Sequence, residues 1–253
     1  MEYVRLGKSN LMVSRIAMGA MNLEKIGNSE EASGLIRFAY NNGVNFFDTS
    51  RKCNGSEKTL GDAVYDIRKN VVIATKSDVS SSAELLESVQ FSLESFRTSY
   101  IDLFQYESNT FIPEKHGIDG IYSAMQNLKN SNIVDHLGFV TEDFDLAVNA
   151  VKSGLYETLQ FPFSMISPQN TQELLTLCEE NDVGFIAMQP LCGGVVENIP
   201  LAYGFLNQFE NVVPLWGIQT KEELEQILYF SKNKPKIDEK FLKDVENVRE
   251  FFN

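Results

Sequence analysis

Gly43-Val44-Asn45-Phe46-Phe47-Asp48-Thr49-Ser50-Arg51-Lys52-Cys53-Asn54-Gly55-Ser56-Glu57-Lys58-Thr59-Leu60-Gly61 is the stretch on which the fold reading turns. A short, mostly apolar run stops at an acid and a hydroxyl, crosses a polar turn at Asn54-Gly55, and restarts at Ser56, the expected N-cap of a helix. This is a strand, a loop and a helix, with Asp48 at the carboxyl end of the strand. Parallel α/β folds place their sites where buried strands give way to such loops.

The same unit recurs on both sides. Toward the N-terminus, Ile16-Ala17-Met18 reads as an apolar strand, and Ser29-Glu30-Glu31 opens a helix with Leu35, Phe38 and Ala39 on one face. Before it, residues 3–6 and 11–14 around Gly7-Lys8-Ser9-Asn10 read as a hairpin. Toward the C-terminus, strands are expected at 71–76, 100–106, 133–139, 158–161, 183–188 and 211–216. Helices are expected from Ser82, from about Gly117, from Asp143, from Thr171, from Leu201 to Phe209 and from Thr220. Thr220 followed by Glu223 is a capping box, and 238–252 reads as a last amphipathic helix. Length alone allows one barrel or two ordinary domains. Eight strand–helix alternations with no linker or composition shift favour a single (β/α)₈ barrel over 1–253, with an N-terminal hairpin and a C-terminal helix.

Composition narrows the partners. With 35 acidic against 22 basic residues the net charge is −13, which argues against nucleic acid or an anionic membrane surface. No apolar run reaches the roughly 18 residues of a membrane span, and Met1-Glu2-Tyr3-Val4-Arg5 lacks a signal-peptide pattern. A cytoplasmic location is the resulting expectation. Cys53, Cys178 and Cys192 lie far apart, and His116 and His136 are isolated, so no metal site is expected.

In a barrel the residues just after the strands face the catalytic end. These are Asp48, Lys76, Glu107, Thr141, Gln160, Gln189 and the Trp216-Gly217 pair. Asp48, Lys76 and Glu107 are ionisable and lie on neighbouring strands. A lysine between two carboxylates suits general acid–base chemistry, and equally suits a buried ion network. Gly217 leading into the capped helix start, with Gly193-Gly194 after the preceding strand and Lys221 nearby, suits a phosphate site or an ordinary helix cap.

At these positions the sequence resembles the aldo-keto reductase superfamily over nearly its whole length. The resemblance rests on Asp48 to Glu57, Lys76, Asp102 to Glu107, Gln160-Phe161-Pro162-Phe163, 187–194 and Trp216-Gly217-Ile218-Gln219. It is nearest to a branch that usually carries a C-terminal iron–sulfur segment, although no cysteine follows Cys192. It implies NADP(H)-dependent reduction of a small-molecule carbonyl by an aspartate, tyrosine, lysine and histidine tetrad. Asp48 and Lys76 match that tetrad, whereas Cys53 stands at the tyrosine position and Glu107 at the histidine position. A thiol titrates near neutrality but is several bonds shorter than a phenol, so a water would bridge it to the substrate.

The resemblance places Thr141, Gln160, Gly193, Gly194, Trp216, Gly217, Gln219 and Lys221 at the cofactor. Glu142 matches the family's asparagine and Gln219 its phosphate-binding cation. The expected functions are therefore a reductase with an altered acid, or a catalytically degenerate relative that binds a nucleotide or a partner. A lyase or isomerase built on Lys76 and Glu107 is a third. A substrate mouth formed by Phe111, Phe161, Phe163 and Trp216 is expected.

Overall fold

The computed structural model describes residues 1–26, 28–53 and 55–252; Asn54, in the expected turn, lies outside them. The strands are β1 (Tyr3–Arg5), β2 (Met12–Ser14), β3 (Ala17–Gly19), β4 (Phe46–Asp48), β5 (Val72–Ser77), β6 (Ile101–Glu107), β7 (Val134–Val140), β8 (Thr158–Pro162), β9 (Gly184–Met188) and β10 (Val212–Gly217). The α-helices are α1 (Ser29–Asn41), α2 (Ser56–Val64), α3 (Ser82–Phe96), α4 (Ile121–Asn130), α5 (Phe144–Ser153), α6 (Asn170–Glu180), α7 (Ile199–Leu206), α8 (Lys221–Lys232) and α9 (Glu239–Phe252). Strands β3 to β10 pair in parallel and in sequence order, and β10 returns to β3, which closes the (β/α)₈ barrel. Among the described residues no helix is long and apolar enough to cross a membrane.

Alternation along the strands divides the core in two. Ala17, Phe46, Val72, Ala74, Leu103, Ile186, Val213 and Leu215 pack together inside the barrel. Their neighbours Phe47, Ile73, Phe104 and Trp216 turn outward into the larger layer shared with the helices. Burying each large apolar side chain contributes about 1.5–3 kcal/mol, so the pattern fixes which face of every strand points in.

The antiparallel hairpin β1–β2 stoppers the floor, where Leu6 and Val13 join the inner cluster. Gly7 makes that closure possible. It has φ +53°, and a Cβ there would lie 2.1 Å from the nitrogen of Gly184 at the start of β9.

Several boundaries differ from the sequence reading. Helix α2 is capped by Gly55 at φ +83°, because the Ser56 hydroxyl is engaged by Thr49 at 2.6 Å and donates to the Cys53 carbonyl at 3.1 Å. Helix α4 begins at Ile121 and not near Gly117, since Gly120 is left-handed at φ +68° and Asp119 Oδ1 accepts from the Ile121 amide. Helix α7 ends at Leu206, short of Phe209, and an unforeseen 3₁₀ segment (Tyr65–Asn70) leads into β5.

Candidate active site

At the carboxyl ends of the strands the inner layer changes from apolar to polar. Asp48 follows Phe46 by two residues, Lys76 follows Ala74 and Gln105 follows Leu103, so each stands one level above an inner core residue. Lys76 Nζ makes an ion pair with Asp48 Oδ2 and donates to the Thr49 carbonyl at 3.0 Å. Gln105 Nε2 donates to Asp48 Oδ1 at 3.0 Å and to Gln160 Oε1 at 2.9 Å. Asp48 is fully buried and Lys76 is 3 % exposed. Burial pushes the Asp48 carboxyl above its ordinary value, opposed by the Lys76 charge and the Gln105 and Gln160 amides.

This network depends on a missing side chain. Gly138 lies on β7 between Gln105 and Gln160, and a Cβ there would fall 2.9 Å from Gln105 Cγ and 2.3 Å from Thr158 Oγ1. Only glycine leaves room for Gln105 to reach across to β8.

Above the polar layer opens a cavity of about 750 Å³, within the usual range for a small-molecule site. Lys76, Cys53, Glu107, Thr141, Gln160, Gly193, Gly194, Trp216, Gly217 and Gln219 all line it, whereas Asp48 lies beneath it in contact with Lys76. The Cys53 amide donates to the Ser50 carbonyl at 3.1 Å, which holds the thiol-bearing turn against the rim.

Three expectations change. The first concerns Glu107, whose recorded ion pair is to Lys52 at 3.5 Å, so Lys76 is held by Asp48 and the Thr49 carbonyl and does not sit between two carboxylates. Burial works to lower the Lys52 pKa, but Asp78, 2.8 Å away, and Glu107 hold it above its ordinary value. The second concerns Lys221, which lies outside the cavity wall. Its Nζ pairs with Glu225 at 3.5 Å and sits 4.8 Å from the centre of the Phe38 ring.

The third concerns the aromatic mouth. Phe161 and Phe163 are buried among helix-layer residues, against Phe144 in one case and Phe185, Phe205 and Phe209 in the other. Phe111 packs edge-on to Tyr106, so of the four expected aromatics Trp216 alone lines the cavity, stacked on Tyr203 at 6.2 Å.

Several lining residues escaped the sequence reading. Asn109 Oδ1 accepts from Thr141 Oγ1 at 3.0 Å and from the Glu142 amide at 2.7 Å. Its position just past β6 was a usable signal, because residues after barrel strands face the site. Glu142 in turn accepts from Gln189 Nε2 at 2.9 Å, which ties the loop after β7 to the loop after β9. Gln189 holds φ +56°, and Cys192, Gly193 and Gly194 are also left-handed. Lys52 and Glu223 complete the charged rim. Glu223 accepts from the Gln219 and Thr220 amides at 2.8 and 3.3 Å, closing the capping box foreseen at this helix start.

The sequence profile of the Aldo/keto reductase family matches residues 15–204. The chain belongs to that family. It is 28 % identical over 211 residues to the uncharacterized oxidoreductase YqkF of Bacillus subtilis, covering 78 % of this chain and 67 % of that one. It is 26 % identical over 209 residues to an L-galactose dehydrogenase of Arabidopsis thaliana, covering 76 % and 66 %. The chain thus spans about two thirds of the length of these relatives. Among solved structures, the aldo-keto reductase AKR11C1 from Bacillus halodurans, in a holo form, superposes with a TM-score of 0.85 at 19 % identity, covering 97 % and 96 % of the two chains. The thermostable aldo-keto reductase Tm1743, in complex with epalrestat, superposes at 0.82 with 21 % identity over 98 % and 100 %. At these identities the structural likeness bears on the fold alone.

Proposed function

We propose that this aldo/keto reductase family member is an oxidoreductase that reduces the carbonyl of a small molecule bound at the barrel mouth, using a nicotinamide nucleotide and an altered proton donor. The observation that carries the reading is the buried Lys76–Asp48 pair, whose lysine lines the cavity that Cys53 also lines. Such a pair is a fixed electrostatic element, aimed where charge develops on a carbonyl oxygen as it is reduced.

The nicotinamide end of the cofactor fits the residues present. Gln160, Thr141 and Asn109 place amide and hydroxyl groups along one wall, as an amide-bearing ring requires. A phosphate on the adenosine ribose does not fit the residues after β10, where Glu223 already occupies the Gln219 and Thr220 amides. When bound, a dihydronicotinamide supplies a hydride to the carbonyl carbon. The oxygen then takes a proton from the Cys53 thiol or from a water held by it, and solvent restores that proton. Lys76 stabilises the developing negative charge, and Asp48 holds the ammonium in place. Glu107, steadied by Lys52, stands on the same rim as a hydrogen-bonding partner for the substrate.

One observation favours a second reading, a family member that binds without catalysing hydride transfer. Among the described residues that line the cavity there is neither a tyrosine nor a histidine. The discriminating experiment is reduction of a generic dicarbonyl with NADH or NADPH, followed for the wild type and Lys76→Met. Turnover that collapses in the variant supports the reductase. Turnover unchanged in Lys76→Met sinks the assignment of the pair, and no turnover with either nucleotide moves the protein to the binding reading.

A further inference from the structure

Asp48 is held from two sides by neighbouring strands. In the barrel register Lys76 on β5 stands opposite Gln105 on β6, and Gln105 stands opposite Gly138 on β7. Lys76 Nζ donates to Asp48 Oδ2, and Gln105 Nε2 donates to Asp48 Oδ1 at 3.0 Å, so each carboxylate oxygen has its own partner. A carboxylate bonded at one oxygen can still turn about its last bond. Bonded at both, it is fixed.

Gln105 is fixed in its turn. Its side chain is fully buried, and Nε2 also donates to Gln160 Oε1 at 2.9 Å, so both N–H groups are engaged. Its own Oε1 is buried with no partner among the described residues. Turning the amide over would set that oxygen against the Asp48 carboxylate, so the orientation has no alternative. Gly138 supplies the space, since a Cβ there would lie 2.9 Å from Gln105 Cγ. The consequence reaches Lys76. An ammonium has three N–H groups, of which Lys76 gives one to Asp48 and one to the Thr49 carbonyl at 3.0 Å. The third is left for the cavity that Lys76 lines, and the first two set its direction.

The geometry points to Gln105 as a positioning residue that holds the Asp48 carboxylate so that Lys76 keeps one N–H directed into the cavity. This inference rests on the reductase reading above and extends it by a residue that touches no ligand, since Gln105 is absent from the described residues that line the cavity. The groups acting on the Asp48 carboxyl are Lys76, Gln105 and Gln160, and among them Lys76 alone carries charge. Loss of the Gln105 donor therefore changes the proton affinity of Asp48 as well as its orientation, which a residue that merely fills space would not do.

Two variants and two measurements test it. Gln105→Met keeps the length of the side chain and removes both N–H groups, whereas Gln105→Glu keeps the shape and sets a second carboxyl beside Asp48. With aspartate labelled by ¹³C at the carboxyl, NMR titration of the full chain follows Asp48 without reference to turnover, its signal assigned by loss in Asp48→Asn. The Asp48 midpoint is expected to rise by about one pH unit in Gln105→Met, the effect of one hydrogen bond to a charged group, and further in Gln105→Glu, where two adjacent carboxyls share a proton. In dicarbonyl turnover, kcat should fall about tenfold in Gln105→Met while KM changes less than twofold, and the acid limb of the pH profile should move with the Asp48 midpoint. An unmoved midpoint in a folded Gln105→Met protein, checked by circular dichroism, overturns the inference. Unchanged kcat with an active wild type also overturns it and leaves the reductase reading standing. Where Gln105→Met does not fold, Gln105→Glu decides by the midpoint and the acid limb. If the wild type turns over with neither nucleotide, the reductase reading and this inference fall together.

Discussion

The floor and the mouth of this barrel are built from the same residue types put to different use. At the floor, charges are matched to each other and to backbone. Arg68 pairs with Asp102 at 2.6 Å and donates to the Tyr100 and Val71 carbonyls, and Glu157 takes bonds from Lys129, His136 and the Leu137 amide. Arg15 is spread over Glu2 and the carbonyls of Asn207 and Phe209. At the mouth, Lys76 and Asp48 are comparably buried, as is Glu57 at the start of α2, while Glu107, Glu142 and Glu223 line an open cavity. A matched cluster locks elements together. A rim of charge whose partners are partly solvent keeps interactions in reserve for a ligand, which is why barrels concentrate chemistry at the carboxyl ends of their strands.

The largest effect expected from breaking this contrast is at Lys76. Lys76→Met strands a fully buried carboxylate, and we expect a loss of about 3 kcal/mol in urea unfolding together with a fall in dicarbonyl turnover of about 100-fold or more. Adding Asp48→Asn should restore most of the stability and none of the activity. If the double variant is as unstable as the single one, the loss comes from packing and not from the stranded charge.

Cys53→Tyr comes next. A phenol at this position of the cavity that Lys76 also lines should raise turnover by about tenfold or more, because its longer side chain would reach a substrate oxygen without an intervening water. No gain, with the fold intact by circular dichroism, would show that the proton donor is not the limiting defect. Gly138→Ala should cost about 1–3 kcal/mol in the same unfolding measurement, since its Cβ would fall 2.3 Å from Thr158 Oγ1 and press on Gln105. A neutral result would mean that the Gln105–Gln160 link carries little of the polar layer.

What the sequence made legible follows from which interactions are local. Strand periodicity and strand-end position located Asp48, Lys76, Gln160 and Gln189, because both are properties of consecutive residues. The Thr220–Glu223 capping box was readable for the same reason. That its carboxylate faces the site was not, because helix starts in any barrel can point outward. Glu107 was placed on the right strand and assigned the wrong neighbour, since Lys52 reaches it from the turn after β4 and such a reach depends on loop geometry. The expected aromatic mouth failed similarly. Phe161 follows the inward Gln160 by one residue, so alternation turns it to the helix layer, and Phe163, just past the end of β8, packs there against Phe185, Phe205 and Phe209.

The finest test of the contrast is its sign in acid. At the floor, burial works to raise the Glu157 pKa, but bonds from His136, Lys129 and the Leu137 amide outweigh it and leave the carboxyl below its ordinary 4.5. A group with a depressed folded value stabilises the fold above its unfolded value and loses that contribution as pH falls through the folded one. At the mouth Asp48 runs the opposite way from Glu157, a direction it shares with Asp102 at the floor, which burial raises against the opposing Arg68 charge. Asp48 is raised by burial above its ordinary 3.8, so the folded state holds that proton more tightly than the unfolded chain, and acidification through this interval favours folding. Urea unfolding between pH 7 and pH 3 should therefore show two opposed slopes. Glu157→Gln should cost about 1–2 kcal/mol at pH 7 and remove the acid loss attributable to the floor. Asp48→Asn should leave that loss in place and make the profile steeper, because the compensating proton is gone. Parallel profiles for the two variants would mean that Glu157 and Asp48 respond alike to acid, and the distinction between a locked floor and an available mouth would then rest on exposure alone.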